Sequence, residues 1–275
     1  MELKNIFLEI ALKDLQSANL LYDKKFYSQS FFLFQQASEK ANKALGLSIE
    51  VINGNKDMGI NHNQIKIHSK TANSQLSDVE STLEKLAKHP KITSHELFKM
   101  IDFKSYKETL QNSVSYLNSI KKEDLLNHTQ SDLISFQFIL DELYNARVIL
   151  NKKSTEEIYS NLNIYLDFIK LFGAANAQQE LSKAIADENQ TELISIIKTV
   201  ARHQLKMIFI YYTFYLCALV TSPHYNLSRY PDEKHNPLVF YKKSNPIVKH
   251  QPIFINYLEK AIKMFQRYDA MEIRT

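Results

Sequence analysis

The sequence predicts an all-α protein, an up-and-down helical bundle, and three observations carry that expectation. The 275 residues include only four Gly and six Pro. Five of those prolines (Pro223, Pro231, Pro237, Pro246, Pro252) fall in one stretch near the C-terminus. A β-rich chain needs turn residues every ten or so positions, and most of this chain lacks them. Apolar residues recur instead at three- and four-residue steps, the period of an amphipathic helix.

The first helix is expected from Glu2 to Lys24, with Leu3, Ile6, Phe7, Ile10, Leu15, Ala18 and Leu21 on its apolar side. A turn at Lys25–Tyr27 leads to a second helix ending near Leu45, where Gly46 supplies a C-terminal stop. So short a connection makes the pair an antiparallel hairpin. Ser48 to Asn73 is polar, holds two glycines and two histidines, and reads as a loop. Further helix starts are marked by capping boxes at Ser77/Glu80, Thr93/Glu96, Ser154/Glu157 and Asn189/Glu192. The helix opening at Asn189 runs through the apolar segment Met207–Val220 and stops at Thr221-Ser222-Pro223. Prolines keep the next thirty residues from regular helix. Pro252 then serves as the first residue of a last helix to about Tyr268, with Phe254, Leu258, Ile262 and Phe265 inward.

Composition excludes several classes. A single cysteine, Cys217, rules out an internal disulfide framework, and its apolar surroundings make it a buried hydrophobe. The first fifteen residues mix acidic with apolar side chains and form no secretory signal. Met207–Val220 spans about 21 Å as helix, short of the roughly 30 Å hydrocarbon core, so it reads as a buried central helix of a cytoplasmic protein. No Gly-rich phosphate loop is present, and His62 and His68 lack carboxylate or cysteine partners for a metal, so neither metal nor cofactor is expected. The net charge of +4 equals the basic surplus of Thr221–Thr275 alone, which biases any attraction for an anionic partner toward that end.

Two segments carry a family texture. The first reads Ala11-x-x-Asp14-Leu15-x-x-Ala18, then Phe26-Tyr27-Ser28, then Gln35-Gln36-Ala37-x-Glu39-Lys40-Ala41-x-Lys43-Ala44-Leu45. The second is Ser228-Arg229-Tyr230-Pro231-Asp232, followed by a final amphipathic helix. Together they resemble the HEPN superfamily (higher eukaryotes and prokaryotes nucleotide-binding). The resemblance implies a helical core made of 1–72 and 189–275, with 73–188 as inserted helices packed on it. In the second helix Gln35, Gln36, Glu39, Lys40 and Lys43 form a polar band beside small alanines that admit a neighbouring helix.

Many HEPN proteins are metal-independent endoribonucleases whose motif is an Arg followed, after four to six residues, by a His. A base near neutral pKa serves the ribose 2′-hydroxyl and a fixed cation serves the phosphate. Of the five arginines, Arg229 alone has a histidine at that spacing, His235, with five residues between. Tyr230-Pro231 after the Arg and Asn236-Pro237 after the His depart from the usual motif, which a helix carries. The surrounding loop interleaves aromatics and cations, and Tyr225, Tyr230, Lys234, Tyr241, Lys242 and Lys243 are the candidates for stacking bases and holding phosphates. The resemblance therefore implies an RNA-binding protein, with endoribonuclease activity in a toxin–antitoxin or phage-defence setting, acting as a homodimer with an antitoxin partner. Its alternatives are a non-catalytic module that binds a nucleotide or a nucleotidyltransferase, and a purely structural scaffold.

Overall fold

The computed structural model describes residues 2–52, 63–88, 103–121, 125–152, 190–233 and 235–272, and among these there is no strand. The helices are α1 (Leu3–Asp23), α2 (Tyr27–Ser48), α3 (Ile65–Ala87), α4 (Phe103–Ser119), α5 (Gln130–Lys152) and α6 (Gln190–Thr221). A 3₁₀ turn (Ser222–His224), the single-turn α7 (Pro237–Phe240) and α8 (Pro246–Glu272) complete the order. The chain divides into two compact units, one of 1–72, 114–144 and 207–275, the other of 73–113 and 145–206. The first unit thus takes in 114–144, from within the stretch expected as an insertion.

The first unit is built on the α1–α2 hairpin. α1 closes with the paired bonds Phe26 N–H to Leu21 O (2.9 Å) and Lys25 N–H to Tyr22 O (2.9 Å). Lys25 takes a left-handed φ of 65°, the conformation that reverses the chain at a helix end. The buried face of α1 is Leu8, Ala11, Leu15 and Ala18, while Ile6 and Ile10, expected inward, are each 39% exposed. The alanines decide this: small side chains let α2 approach closely, so the helix rotates its Ala11/Ala18 line inward. α2 answers with Phe31, Phe34, Ala37, Ala41, Ala44 and Leu45, all buried. Phe209, Ile210, Phe214, Cys217 and Val220 of α6 and Phe254, Leu258, Ile262 and Phe265 of α8 complete one hydrophobic cluster.

The polar band of α2 turns inward more than a solvated stripe would. Gln35 and Glu39 are buried, Gln35 Nε2 donates to Glu39 Oε2 (3.2 Å), and Glu39 pairs with Lys43 at 2.7 Å. Lys40 crosses to Asp14 of α1 at 2.8 Å, so the Asp and the Lys of the family texture are partners.

Several sequence expectations are corrected. α2 does not stop at Gly46 but runs to Ser48, because Gly46 serves close packing instead: a Cβ there would meet Ile52 Cγ1 at 3.0 Å and Ile67 Cγ2 at 3.3 Å. The expected loop to Asn73 already contains α3 from Ile65, so His68 is a helical core residue. Ser77 and Glu80 lie inside α3 and cap nothing. Thr93, Glu96, Ser154, Glu157 and Asn189 lie outside the described residues. A reciprocal cap does occur at α5, where the Thr129 amide donates to Asp132 Oδ2 (2.8 Å) and the Asp132 amide to Thr129 Oγ1 (3.2 Å). α8 starts at Pro246, six residues before the expected Pro252, with Asn245 Oδ1 accepting from the Ile247 amide at 3.1 Å. Pro237 and Pro246 therefore each open a helix, and Pro223 is the second residue of the 3₁₀ turn, positions where a missing N–H is costless.

Candidate functional site

The C-terminal segment from Ser222 to Asn245 is tied to the hairpin, and the tie begins where α6 ends. Thr221 donates its hydroxyl to Cys217 O at 2.7 Å, and Pro223 lies in the 3₁₀ turn that carries His224 into the core. His224 Nδ1 and the Tyr241 hydroxyl share a hydrogen bond of 2.7 Å, and both rings stand 5.1 Å from Phe31 of α2. Burial pushes the His224 pKa down to about 3 and drives the Tyr241 phenol up, so the pair is neutral at physiological pH.

The chain then turns through Tyr225–Arg229. Ser28 of α2 donates its hydroxyl to Ser228 O at 2.6 Å, and Ser228 donates to His224 O at 3.0 Å. One turn further along α2, Phe32 lies under the Arg229 guanidinium at 4.7 Å, with Tyr230 on it at 4.8 Å. The two family-like segments, two hundred residues apart in sequence, thus meet through Ser28–Ser228 and Phe32–Arg229. The backbone next folds on itself, with reciprocal bonds between Asp232 and His235 (2.9 and 3.3 Å). His235 lies half-buried against Phe240 at 5.2 Å and Tyr241 at 6.3 Å, and its Nε2 donates to Leu227 O at 2.9 Å. Asn236 caps α7, whose Leu238 and Val239 remain 72% and 61% exposed.

Arg229 and His235 are therefore both anchored at the two ends of one turn, yet no hydrogen bond joins them among the described residues. Tyr230 is 56% exposed, Tyr225 is half-buried, and Lys242 and Lys243 are exposed, so these four remain in reach of a ligand. Tyr241 is not: at 2% exposure, with its hydroxyl on His224, it is a core residue and the expectation of a base-stacking role is corrected. Lys234 lies outside the described residues.

Sequence reasoning passed over Phe32 and Leu227, which hold the Arg and the His. Nothing in the local pattern marks them, because an exposed-looking Phe on α2 and a backbone carbonyl acquire their roles only through contacts from far along the chain. It also passed over a second buried cluster. There Asn42 Nδ2 donates to Ser38 O (2.9 Å), Gln64 Oε1 (3.1 Å) and Phe214 O (3.1 Å). His68 Nε2 meets Asn42 Oδ1 at 2.7 Å, and Tyr211 and Tyr215 flank the imidazole. Burial holds the His68 pKa down at about 3.

Among the described residues one stretch, Arg202–His224 in α6 and the 3₁₀ turn that follows it, is long and apolar enough to cross a membrane by composition, but 61% of its most apolar window is buried in the protein, as in the core helix of a bundle.

The HEPN domain family model matches residues 5–122, which covers the hairpin and continues to the end of α4 but not the Arg229 segment. No curated protein and no solved structure matches the chain. Over residues 5–122 the chain is similar to the HEPN domain, in agreement with the all-helical fold of the described residues, and that likeness suggests a nucleotide- or RNA-related function.

Proposed function

We propose, from the likeness of residues 5–122 to the HEPN domain, that the Arg229–Lys243 segment binds single-stranded RNA and that Arg229 and His235 cleave it without an added metal. The observation that carries this reading is the anchoring of both residues on one turn braced against α2, with Arg229 exposed over an aromatic shelf. Tyr230 offers a stacking face to a base, and Lys242 and Lys243 offer charge to neighbouring phosphates. In the cleavage step His235 takes the proton of the ribose 2′-hydroxyl, and the 2′-oxygen bonds to phosphorus. The bond from phosphorus to the 5′-oxygen breaks, the departing oxygen takes a proton from solvent, and the imidazolium returns its own. Arg229 offsets the charge on the phosphate oxygens.

Removal of the base should cost about 10²–10⁴-fold in rate. Purified His235→Ala is expected to keep its melting temperature and lose cleavage of a single-stranded RNA, whereas cleavage at the wild-type rate refutes the reading. Arg229→Ala is expected to be inactive and less stable, because the guanidinium also packs on Phe32 and Tyr230. That packing favours a second reading, a non-catalytic module in which Arg229 only braces the loop. A marked fall in melting temperature for Arg229→Ala, with His235→Ala cleaving normally, selects it.

The same reading pairs two chains so that their Arg229–His235 segments share a cleft, in the toxin–antitoxin or defence setting that the family suggests. Exposed Leu238 and Val239 on α7 beside the segment supply apolar surface for such a contact. Sedimentation at tens of micromolar is expected to give a dimer, and Leu238→Asp with Val239→Asp a monomer. A wild-type monomer at that concentration removes the shared cleft.

A further inference from the structure

We propose that Nδ1 is the reacting nitrogen of His235, and that Tyr241, held by His224, is the residue that keeps the imidazole in place; the proposal rests on reading His235 as the base of the site. A backbone carbonyl can only accept, so the 2.9 Å bond from His235 Nε2 to Leu227 O places a hydrogen on Nε2. A neutral imidazole has one N–H and one lone pair, and with Nε2 committed the lone pair lies on Nδ1. Proton uptake from the 2′-hydroxyl therefore occurs at Nδ1 without breaking the bond to the loop. The imidazolium so formed still donates through Nε2, and the partial negative charge of the Leu227 carbonyl steadies it.

The imidazole cannot serve if it turns over, because a half-turn about Cβ–Cγ puts Cε1 in place of Nε2 at the carbonyl and carries Nδ1 to the opposite side. Its orientation is set by walls that are themselves fixed. Phe240 lies at 5.2 Å, and the ring of Tyr241 stands nearly perpendicular at 6.3 Å and 82°. Tyr241 is anchored by its hydroxyl on His224 Nδ1 at 2.7 Å and by its ring on Phe31 at 5.1 Å. His224 is fully buried between Phe31 and Phe240. The backbone under His235 is clamped by the two bonds with Asp232. Tyr241 and His224 touch no substrate in this arrangement. They are positioning residues, and the rigid chain of contacts runs from α2 through Tyr241 to the imidazole.

Long-range proton–nitrogen NMR correlation on the ¹⁵N-labelled full chain, at a pH where His235 is neutral, reads the tautomer without any substitution. The expected spectrum shows Nε2 protonated and Nδ1 bare. A dominant Nδ1–H form overturns the proposal even if His235→Ala abolishes RNA cleavage, in which case the nuclease reading stands alone. Tyr241→Phe keeps the ring and removes the hydroxyl. It is expected to lower kcat about tenfold to a hundredfold with KM unchanged, the scale of a small misplacement of a reacting group, and to mix the His235 tautomers. An unchanged kcat with an unchanged spectrum shows that Tyr241 only fills the core and ends its positioning role. A folded wild-type chain that cleaves no RNA removes the nuclease reading and with it any catalytic role for Nδ1.

Discussion

Single residues in the core of the first unit carry a pH dependence that the charge count does not show. His68 and His224 are fully buried, and desolvation lowers both pKa values to about 3, against about 6.5 in an unfolded chain. Between those limits the unfolded state binds a proton at each site and the folded state does not, so stability falls as pH falls. Each such histidine contributes a slope on the order of 1.4 kcal/mol per pH unit within that window. Denaturant unfolding at pH 7, 6, 5 and 4 is expected to show a progressive loss beginning near pH 6.5, and His68→Gln is expected to reduce the slope. A flat profile from pH 7 to 4 contradicts the burial of these two imidazoles. His68 also shows why a residue's role is hard to read locally: its neighbours in sequence look like a loop, and only Asn42 and the tyrosines of α6 make it a core residue.

The elements end where backbone geometry and close packing require, and two positions put opposite demands on glycine. Lys25 holds a φ of 65° at the end of α1, a conformation that costs an L-residue roughly 1 kcal/mol and glycine almost nothing. Lys25→Gly is therefore expected to raise the melting temperature. Gly46 sits inside α2, where helix propensity alone would favour alanine by about 1 kcal/mol. A Cβ at that position would meet Ile52 and Ile67 at 3.0–3.3 Å, and overpacking of this kind costs about 1–3 kcal/mol. Gly46→Ala is expected to lower the melting temperature despite the gain in propensity. Paired thermal melts of the two variants check both, and stabilisation by Gly46→Ala would show that Ile52 yields. Sequence alone suggested the reverse use of Gly46, as a helix stop, because a glycine that ends a helix and one that admits a neighbour look alike without the neighbour.

The whole molecule concentrates its basic surplus in the last fifth of the chain, the part that α2 holds through Ser28 and Phe32. An RNA bound there releases counterions, and each neutralised phosphate on a single strand adds roughly 0.7 to the slope of log affinity against log salt. Lys242→Gln with Lys243→Gln is accordingly expected to weaken RNA binding and to flatten that slope by up to about 1.4, measured by fluorescence anisotropy across a salt series. An unchanged slope places the phosphates elsewhere.

By itself the sequence determined the all-helical class, the α1–α2 hairpin, the course of α6 to Thr221 and the buried side of Cys217. Each follows from local period, turn residues and the absence of glycine and proline, which act over a few residues. It also supplied the two family-like segments in their order. Tertiary structure alone decided which face of α1 turns inward, that α3 begins at Ile65, that α8 begins at Pro246, and that Tyr241 is core while Tyr230 is surface. It also decided how Arg229 and His235 are held, through Phe32 and the Leu227 carbonyl. The reason is that burial and hydrogen-bond partnership belong to pairs of residues. Ser28 and Ser228 are two hundred positions apart, and no local pattern in either segment records that the other completes it.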